Sequence, residues 1–356
     1  MIKIIKIKIL FISLFFLCLQ GFSQSGGENI YEALTLAFSS RVGGIGGINV
    51  SHYDNDLNFV MQNPSLLRKS MSDKLNLNYF NFIKGVNAGS ATFAKYFDNK
   101  GIFAAGIMFV NYGKIKHTDY TGIIYNDFVV ADYTMFGSYS YKFKKNEKFQ
   151  VGTNFKFIFS DYWHYSSVGF TIDLGASYID TVKNFSAGLV ISNLGTELKP
   201  YTKGNFEKVP FDIAIGFTKK FEHAPIRISV TAHDLINWKL AFKSNFKTEN
   251  VMIETTEPKE TFFNKLEDIG SEFIRHFVFG VEIVPHQAFH IDIGFNTRRR
   301  MELVVPVKKG LAGFSAGFGL DLKKFNFGYS VGIYHIAGLS HNISIGINFA
   351  NLYKGH

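Results

Sequence analysis

The sequence predicts an all-β chain that closes into a 14-stranded antiparallel transmembrane β-barrel with an N-terminal plug segment inside. Three observations predict this fold: an export signal at the N-terminus, apolar residues at every second position in many segments, and short connections that alternate with longer ones. The 39 Phe and 17 Tyr residues agree with a wall that meets lipid on its outer face.

The first 23 residues have the organisation of a secretory signal peptide. A basic start precedes an apolar run over 9–19, and a small-residue cleavage site follows, which we place after Ser23. The run is shorter than the roughly 20 residues of a membrane-spanning helix, so we expect residues 1–23 to be cleaved; an uncleaved anchor is the alternative. Cys18, the only cysteine, falls in this leader, which excludes disulfides and cysteine chemistry from the mature chain.

Alternation of apolar and polar residues recurs throughout residues 71–356, the predicted barrel. In GLAGFSAGFGLDL, Phe314, Phe318 and Leu320 share one face, and small or polar residues share the other. The segments FQVGTNFKFIF and NISIGINF repeat this period of two. Because side chains alternate between the faces of a strand, one face is expected to meet lipid and the other the lumen.

Fourteen strands are predicted from this pattern. They cover residues 73–82, 87–97, 101–112, 131–143, 147–160, 165–179, 184–193, 210–221, 225–236, 273–284, 287–298, 309–322, 324–335 and 341–350. Every second connection is short, and the long ones, 113–130, 194–209 and 237–272, fall between them. Outer-membrane barrels have short periplasmic turns and longer external loops, so we expect both termini in the periplasm and the long loops outside.

Aromatic residues near the strand ends are expected to form girdles at the two membrane interfaces. On the side of the short turns these are Tyr96, Phe97, Tyr141, Phe143 and Tyr178. On the side of the long loops they are Tyr112, Tyr162, Trp163, Trp238 and Tyr334.

Residues 24–70 lack the period of a strand and are expected to fold inside the barrel as a plug. Lumen-facing glycines such as Gly313, Gly317 and Gly319 would allow its backbone to approach the wall. The glycine cluster of this segment lacks the G-x-G-x-x-G spacing of a dinucleotide site and follows no strand, so it is interpreted as a turn. The residues expected at the plug turns are Arg41, Gly43, Gly44, Gly46, Gly47, Asn63 and Pro64.

No motif of an enzyme is found, so we predict a protein without catalytic activity, cofactor or metal site. The sequence contains neither H-E-x-x-H nor G-x-S-x-G, and its acidic residues are scattered. His286 and His290 would lie roughly 13 Å apart on a strand, too far to share a metal. The net charge of +9 falls by three when the leader lysines are removed, which supports at most a weak attraction to anionic lipid and gives no indication of nucleic acid.

An arginine run at the external end of the eleventh predicted strand is a candidate for binding lipopolysaccharide phosphates or an acidic partner. The alternatives are a solvated loop or pairing inside the lumen with Asp292 or Glu282. The long loop 237–272 is a second candidate for docking a partner, because loops carry such roles. The candidate contacts are Arg298, Arg299, Arg300, Glu302 and Trp238.

Eight segments carry a family resemblance: SSRVGGIGGINVS, QNPSLL, SNLG, HDLINWKL, FVFGVEIVP, GFNTRRRMEL, GFSAGFGL and YHIAGLSHN. Together they resemble the PorQ family of type IX secretion proteins of Bacteroidota, which is related to PorV and to FadL-like barrels. The resemblance implies a FadL-like barrel in the outer membrane that anchors a surface attachment complex. It implies direct contact with a PorZ-like protein, and a complex with a PorU-like sortase and a PorV-like barrel that processes cargo and joins it to lipopolysaccharide.

Two other functions are compatible with a barrel. A FadL-like transporter of hydrophobic compounds would need an apolar pocket, whereas the predicted lumen faces are mostly Gly, Ser, Asn and Asp. A porin would need an open lumen, which the plug segment disfavours.

Overall fold

The computed structural model describes residues 29–353, apart from 84, 99, 120, 239, 241–269, 303–309 and 336–337. The predicted signal peptide and most of the loop 237–272 therefore lie outside the described residues. Among the described residues, no helix has the length and hydropathy that crossing a membrane requires.

The described part of the chain forms one closed antiparallel barrel of fourteen strands, as predicted. The strands are β1 (Lys74–Asn81), β2 (Asn87–Phe97), β3 (Gly101–Thr118), β4 (Ile124–Lys142), β5 (Phe149–Tyr162), β6 (Tyr165–Asp180), β7 (Phe185–Lys199), β8 (Asp212–Lys220), β9 (Ile226–Ala232), β10 (Phe277–His286), β11 (Phe289–Asn296), β12 (Phe314–Asp321), β13 (Phe325–His335) and β14 (Gly338–Asn348). Each strand pairs with the next along the chain, and β1 pairs with β14 to close the ring. Closure leaves no sheet edge around the ring.

The predicted loop 113–130 is largely strand, because β3 and β4 continue beyond the ring as a paired hairpin. The register shifts between Asn111 and Lys114, where Gly113 has a φ of 84°. Such a bulge breaks the period of two in the sequence while the pairing resumes on its far side. The prediction followed the apolar alternation and for this reason ended the third strand too early, at residue 112 instead of Thr118.

The outward face of the wall is apolar, as the alternation predicted. On β12, Phe314, Phe318 and Leu320 are exposed, and Ser315 between them is buried. The loop-side girdle was predicted wrongly for Tyr112, Tyr162 and Tyr334. The alternation along their strands puts all three side chains on the lumen face, not on the membrane face. The Tyr112 hydroxyl, for example, donates a hydrogen bond to Asp132 at 2.6 Å.

Residues 29–73, here called the inner segment, fold inside the ring of strands. They contain one α-helix, α1 (Ser40–Gly44), and the short 3-10 helices Glu32–Thr35, Leu57–Met61, Pro64–Leu66 and Lys69–Met71. Helix α1 packs on β11 to β14, whereas the turn at Pro64–Leu66 packs on β4 to β6. The contacts reach lumen-facing positions on distant parts of the ring, among them Gly188 and Gly317.

The inner segment runs from the loop side of the lumen to the turn side. Asn29 pairs with Lys208 of the connection between β7 and β8, and Asp73 directly precedes β1. The expectation of a periplasmic N-terminus concerns residues before Asn29, which lie outside the described part of the chain.

Glycines of the wall make room for the inner segment. A Cβ on Gly188 would lie 2.0 Å from the Val50 carbonyl oxygen, and the Cα of Gly317 lies 3.4 Å from the Cβ position of Gly44. Gly317 therefore has the predicted role of allowing a close backbone approach. Gly319 instead makes room for the ring of His290 on the neighbouring strand. A Cβ added at Gly319 would lie only 2.1 Å from His290 Nε2.

We expect Gly188→Ala to destabilise the barrel by about 1–3 kcal/mol, because the new methyl group must displace the backbone at Val50. The control is Gly137→Ala on β4, where an added Cβ meets nothing within 4 Å. Urea unfolding of both variants in detergent micelles measures the difference. Equal unfolding midpoints would contradict the close packing of the inner segment.

We expect Ile107→Lys to destabilise the folded protein in lipid vesicles by about 2–4 kcal/mol, because this outward side chain of β3 would place a charge in hydrocarbon. Ile123 is the matched control, since it is similarly exposed, at 57% against 55% for Ile107, but lies beyond the end of β3. Ile123→Lys should be close to neutral. Similar losses in the two variants would argue against a lipid-facing belt at Ile107.

Candidate functional site

A buried ionic cluster joins the inner segment to the wall. Arg41 of α1 lies at its centre, with Nη2 3.0 Å from Glu282 Oε1 and Nη1 2.6 Å from Asp54 Oδ2. Arg227 Nη1 lies 3.1 Å from Glu282 Oε2 and 2.7 Å from His52 Nε2. We call these five residues the ionic cluster. Glu282 is thus paired with Arg41 and Arg227, and the predicted alternative, pairing with an arginine of residues 298–300, was wrong.

Further carboxylates surround the cluster. Asp56 and Asp321 lie 3.9 and 3.8 Å from Arg41 Nη1, and Asp292 on β11 is buried nearby, where it hydrogen-bonds His290 at 2.8 Å. The acidic residues are scattered along the sequence, but several of them are clustered in the folded chain, which the sequence analysis did not predict. Residues far apart in sequence converge because each lies on the lumen face of its strand or on the inner segment.

The two acidic side chains of the inner segment respond differently to this environment. Burial alone would raise the pKa of the Asp54 carboxyl, but the charges of Arg41 and His52 hold its pKa well below the usual range. For Asp56, burial outweighs the attraction of the more distant Arg41 and raises the pKa. The charge of the cluster is therefore concentrated in the close pairs of Arg41.

Of the remaining predicted plug residues, Gly43 and Gly44 belong to helix α1, so their prediction as turn residues was wrong, whereas the others lie at a turn or a helix start. Gly46 and Gly47 have φ angles of 104° and 94°, which favour glycine. Asn63 caps the short helix that begins at Pro64, since its Oδ1 accepts a hydrogen bond from the Ser65 amide at 3.0 Å. Gly43 lies against the wall, where a Cβ would be 2.9 Å from Ser330 Oγ.

A cavity of about 380 Å³ lies on the loop side of the inner segment. Nine of its 24 lining residues are apolar, Leu34 and Met61 among them, and the other fifteen are polar or charged. The charged lining residues include Glu32, Asp212, Asp234, Arg298, Arg299 and Glu302. The polar lumen predicted from the sequence agrees with this lining.

The arginine run does not form a loop but belongs to a short helix, α2 (Thr297–Glu302). Arg298 donates to Asp234 through Nη1, and its Nε lies 3.1 Å from Glu302 Oε1. Two of the predicted contact residues, Arg298 and Glu302, are therefore bonded to each other.

The other two arginines also have partners within the chain. The Arg299 guanidinium lies 3.9 Å from the ring centroid of Tyr334 and donates to the Gly46 carbonyl at 3.2 Å. Arg300 donates to the Gly310 carbonyl. The predicted contact of this run with a partner or with lipopolysaccharide stays a prediction.

Trp238 is exposed at the loop side, and its predicted contact with a partner stays a prediction. Its ring stacks on Phe273 with centroids 6.5 Å apart and contacts His276 edge-on at 5.4 Å. Phe273 and Ile274 are each about half exposed, at 50% and 49%, and Trp238 is 56% exposed. We call Trp238, Phe273 and Ile274 the mouth patch.

Two groups of described residues bring metal-ligating atoms together, which the sequence did not predict. They are Asp212, His233 and Asp234, and Glu282, His290 and Asp292. In the second group both carboxylate oxygens of Glu282 already meet guanidinium groups of the ionic cluster. Strand register brings these residues together; Glu282, for example, lies opposite Asp292.

These features define a class of protein: a closed fourteen-stranded barrel whose N-terminal segment occupies its interior. Among solved structures, the chain is similar to the TodX monoaromatic hydrocarbon channel as its deltaS2S3 mutant, with TM-score 0.53 and 11% identity over 88% of this chain and 99% of that chain. It is similar to the deltaS2 mutant of TodX with TM-score 0.52 and 12% identity at the same coverage. A Pseudomonas aeruginosa FadL homologue has TM-score 0.45 and 10% identity, covering 87% of this chain and 98% of that one.

The likeness to the two TodX structures, at these identities, shows the fold alone. No family model matches the chain, and no curated protein matches it.

We expect Arg41→Met to destabilise the protein by about 3–5 kcal/mol, because it removes the closest cationic partner of Asp54 and one of the two guanidinium partners of Glu282 from a buried site. The matched control is Lys95→Met, which breaks the more exposed pair with Asp73 and should cost at most about 1 kcal/mol. Urea unfolding in detergent, followed by gel mobility, measures both. A loss for Arg41→Met no larger than the loss for Lys95→Met would exclude an anchoring role for the ionic cluster.

Proposed function

We propose that the protein is a non-enzymatic outer-membrane component of a type IX secretion system. In this role it anchors a surface attachment complex that processes cargo and joins it to lipopolysaccharide. The observation that carries the proposal is the filled lumen: the inner segment is attached to the wall by the ionic cluster, and the remaining cavity is polar. An anchor needs a stable barrel and an accessible outer surface, and it needs no open passage.

The family resemblance supplies the partners of this proposal. A PorZ-like protein binds directly, and a PorU-like sortase and a PorV-like barrel complete the complex. Two of the resembling segments, GFNTRRRMEL and HDLINWKL, meet at the loop side, where Arg298 of the first pairs with Asp234 of the second. We infer that this side faces outward and that the short turns face the periplasm.

The mouth patch is the proposed contact for the PorZ-like protein. Trp238 and Phe273 are exposed aromatic residues, a type that is enriched at the centres of protein interfaces. Arg298 and Glu302 act with Asp234 to hold α2 beside this patch. Arg299 and Arg300 belong to the same helix, and we propose that α2 contributes to binding of the partner or of lipopolysaccharide phosphates.

A second candidate function is transport of hydrophobic compounds. The observation that favours it is the fold shared with TodX, whose structure is described as that of a monoaromatic hydrocarbon channel. Transport would require the inner segment to move or a route to open past it. The charged lining of the 380 Å³ cavity weighs against an apolar ligand at that place.

The proposal is tested by purifying the tagged protein from its own outer membrane in mild detergent and identifying partners by mass spectrometry. We expect PorZ-like, PorU-like and PorV-like proteins to be recovered. Trp238→Ala should reduce recovery of the PorZ-like protein several-fold, because it removes the largest side chain of the mouth patch. The control is Trp163→Ala, which truncates the other of the two tryptophans. Trp163 lies on the β5–β6 turn and is 40% exposed.

The outcomes separate the two functions. A barrel recovered alone after cross-linking, together with uptake of aromatic hydrocarbons into liposomes that contain it, would establish transport instead of anchoring. If both tryptophan variants still recover the intact complex, the anchoring role is supported and the mouth patch is excluded as the contact with the PorZ-like protein.

A further inference from the structure

Three pairs of adjacent lysines lie at the turn-side end of the barrel, and each pair directly adjoins a phenylalanine. They are FKK at 143–145 in the β4–β5 turn, KKF at 219–221 where β8 ends, and KKF at 323–325 where β13 begins. We call these three groups the lysine anchors. The net charge of the whole chain gave no indication that positive charge is placed at this end.

The phenylalanines of the anchors continue the apolar outer face of the wall. Phe143, Phe221 and Phe325 are 42%, 43% and 47% exposed. The backbone holds them at the ends of their strands, since the Phe143 amide donates to the Phe149 carbonyl at 3.1 Å and the Phe325 carbonyl accepts from the Leu322 amide at 2.9 Å. Exposed aromatic rings at strand ends mark the border between hydrocarbon and headgroups, so the adjoining lysines lie at headgroup level.

The six lysines of the anchors have no carboxylate partner in the described part of the chain. Five of them are exposed and Lys220 is half-buried. Lys219 donates to the Lys183 backbone carbonyl, which leaves its charge uncompensated. Their neighbours differ, because Lys142 pairs with Glu147 at 2.8 Å and Lys148 pairs with Asp180 at 2.7 Å. The unpaired ammonium groups are therefore concentrated beside the outward phenylalanines.

The anchors are spread around the whole ring. In the closed order of strands, the β4–β5, β8–β9 and β12–β13 connections are four, four and six strands apart. A single protein partner contacts one part of a rim, whereas lipid surrounds a barrel on every side. The spacing of the anchors, together with their exposed phenylalanines, favours lipid as the occupant.

We propose that the lysine anchors bind the phosphates of anionic phospholipids in the leaflet at the turn side of the barrel. Each phenylalanine packs against the upper part of the acyl chains, and the adjoining ammonium groups contact headgroup phosphates at the end of flexible apolar stems. Phosphatidylglycerol has this chemistry, because its headgroup carries a net negative charge that the zwitterionic phosphatidylcholine lacks.

This binding fixes the depth of the barrel at the turn-side surface. The anchors lie at the opposite end from α2, whose arginines are the proposed contact for lipopolysaccharide phosphates, so the two leaflets meet different residues. The inference goes beyond the proposed secretion role and is independent of it. Selective binding of an anionic phospholipid can be present whether the partner purification succeeds or fails.

The test is quenching of a tryptophan beside one anchor by brominated lipid. Leu322 is 58% exposed and adjoins Lys323, so Leu322→Trp reports on this position once Trp163 and Trp238 are replaced by Phe. The complete mature protein is reconstituted in mixtures of phosphatidylglycerol and phosphatidylcholine with one of the two brominated. We expect phosphatidylglycerol to bind at the reporter about fivefold more tightly, which corresponds to about 1 kcal/mol for a lysine at the membrane surface.

Lysine variants in the same reporter protein identify the cause of this preference. Lys323→Gln combined with Lys324→Gln should bring the ratio of the two binding constants close to one. The matched control is Lys114→Gln combined with Lys116→Gln, which removes the same charge from the loop-side hairpin and should leave the ratio unchanged. Salt at about 1 M should also lower the ratio, because it shortens the screening length to about 3 Å.

A ratio close to one in the reporter protein, or an unchanged ratio after both lysines of the anchor are replaced, would overturn the proposal. Gel mobility of unheated samples shows whether each variant retains the folded barrel. If the double variant does not fold, the salt series decides, and a ratio that does not respond to salt overturns ionic binding. Absence of lipid preference, together with cross-linking of the anchors to a protein in whole cells, would assign this rim to a protein partner instead.

Discussion

The ion pair between Arg41 and Glu282 is the interaction on which the interior of this barrel depends. It connects the only α-helix of the inner segment with the middle of β10, and both side chains are buried. Two charges removed from water carry a large desolvation cost, which close pairing offsets only when the geometry is good. The bonds to Asp54 and Arg227 complete that geometry, and they therefore determine where the inner segment can sit.

The polar lumen follows from the same constraint. A closed ring of fourteen strands encloses an interior whose residues alternate with a lipid-facing set, and the interior must be filled or hydrated. Here serine, asparagine and glycine of the wall meet the irregular backbone of the inner segment. Asn342 Nδ2, for example, donates to the Ala37 carbonyl at 2.6 Å, and Ser186 Oγ donates to the Ser51 carbonyl at 2.6 Å. Such contacts satisfy backbone groups that have no secondary-structure partner.

The wall was predictable from the sequence because it depends on a local period. Phe314, Phe318 and Leu320 face outward as the alternation required, and the count of fourteen strands was correct. The prediction of the strand end failed at Gly113, where a bulge interrupts the period of two. The prediction of the girdle failed at Tyr112 and Tyr334, because it relied on residue type and not on the face of the strand to which the alternation assigns them. Aromatic residues suit membrane interfaces, but their position along a strand decides which face they occupy.

The candidate sites were less predictable because they depend on register and on distant contacts. Trp238 is exposed, whereas the arginines of α2 are bonded within the chain. The approach of Asp212 to His233 was accessible in principle, since a short turn between β8 and β9 sets their register. The contact between Arg41 and Glu282 spans 241 residues and leaves no trace in local spacing.

That separation has a consequence for biogenesis. The inner segment precedes every strand in the chain, yet its ionic partners belong to β9 and β10, and the ring is closed only by β14. Contacts of such high sequence separation form slowly, because a long loop must be ordered before they contribute. Before β9 and β10 form, Arg41 therefore lacks Glu282, and its close partner is Asp54 of the same segment. The inner segment is fully enclosed only when β14 pairs with β1.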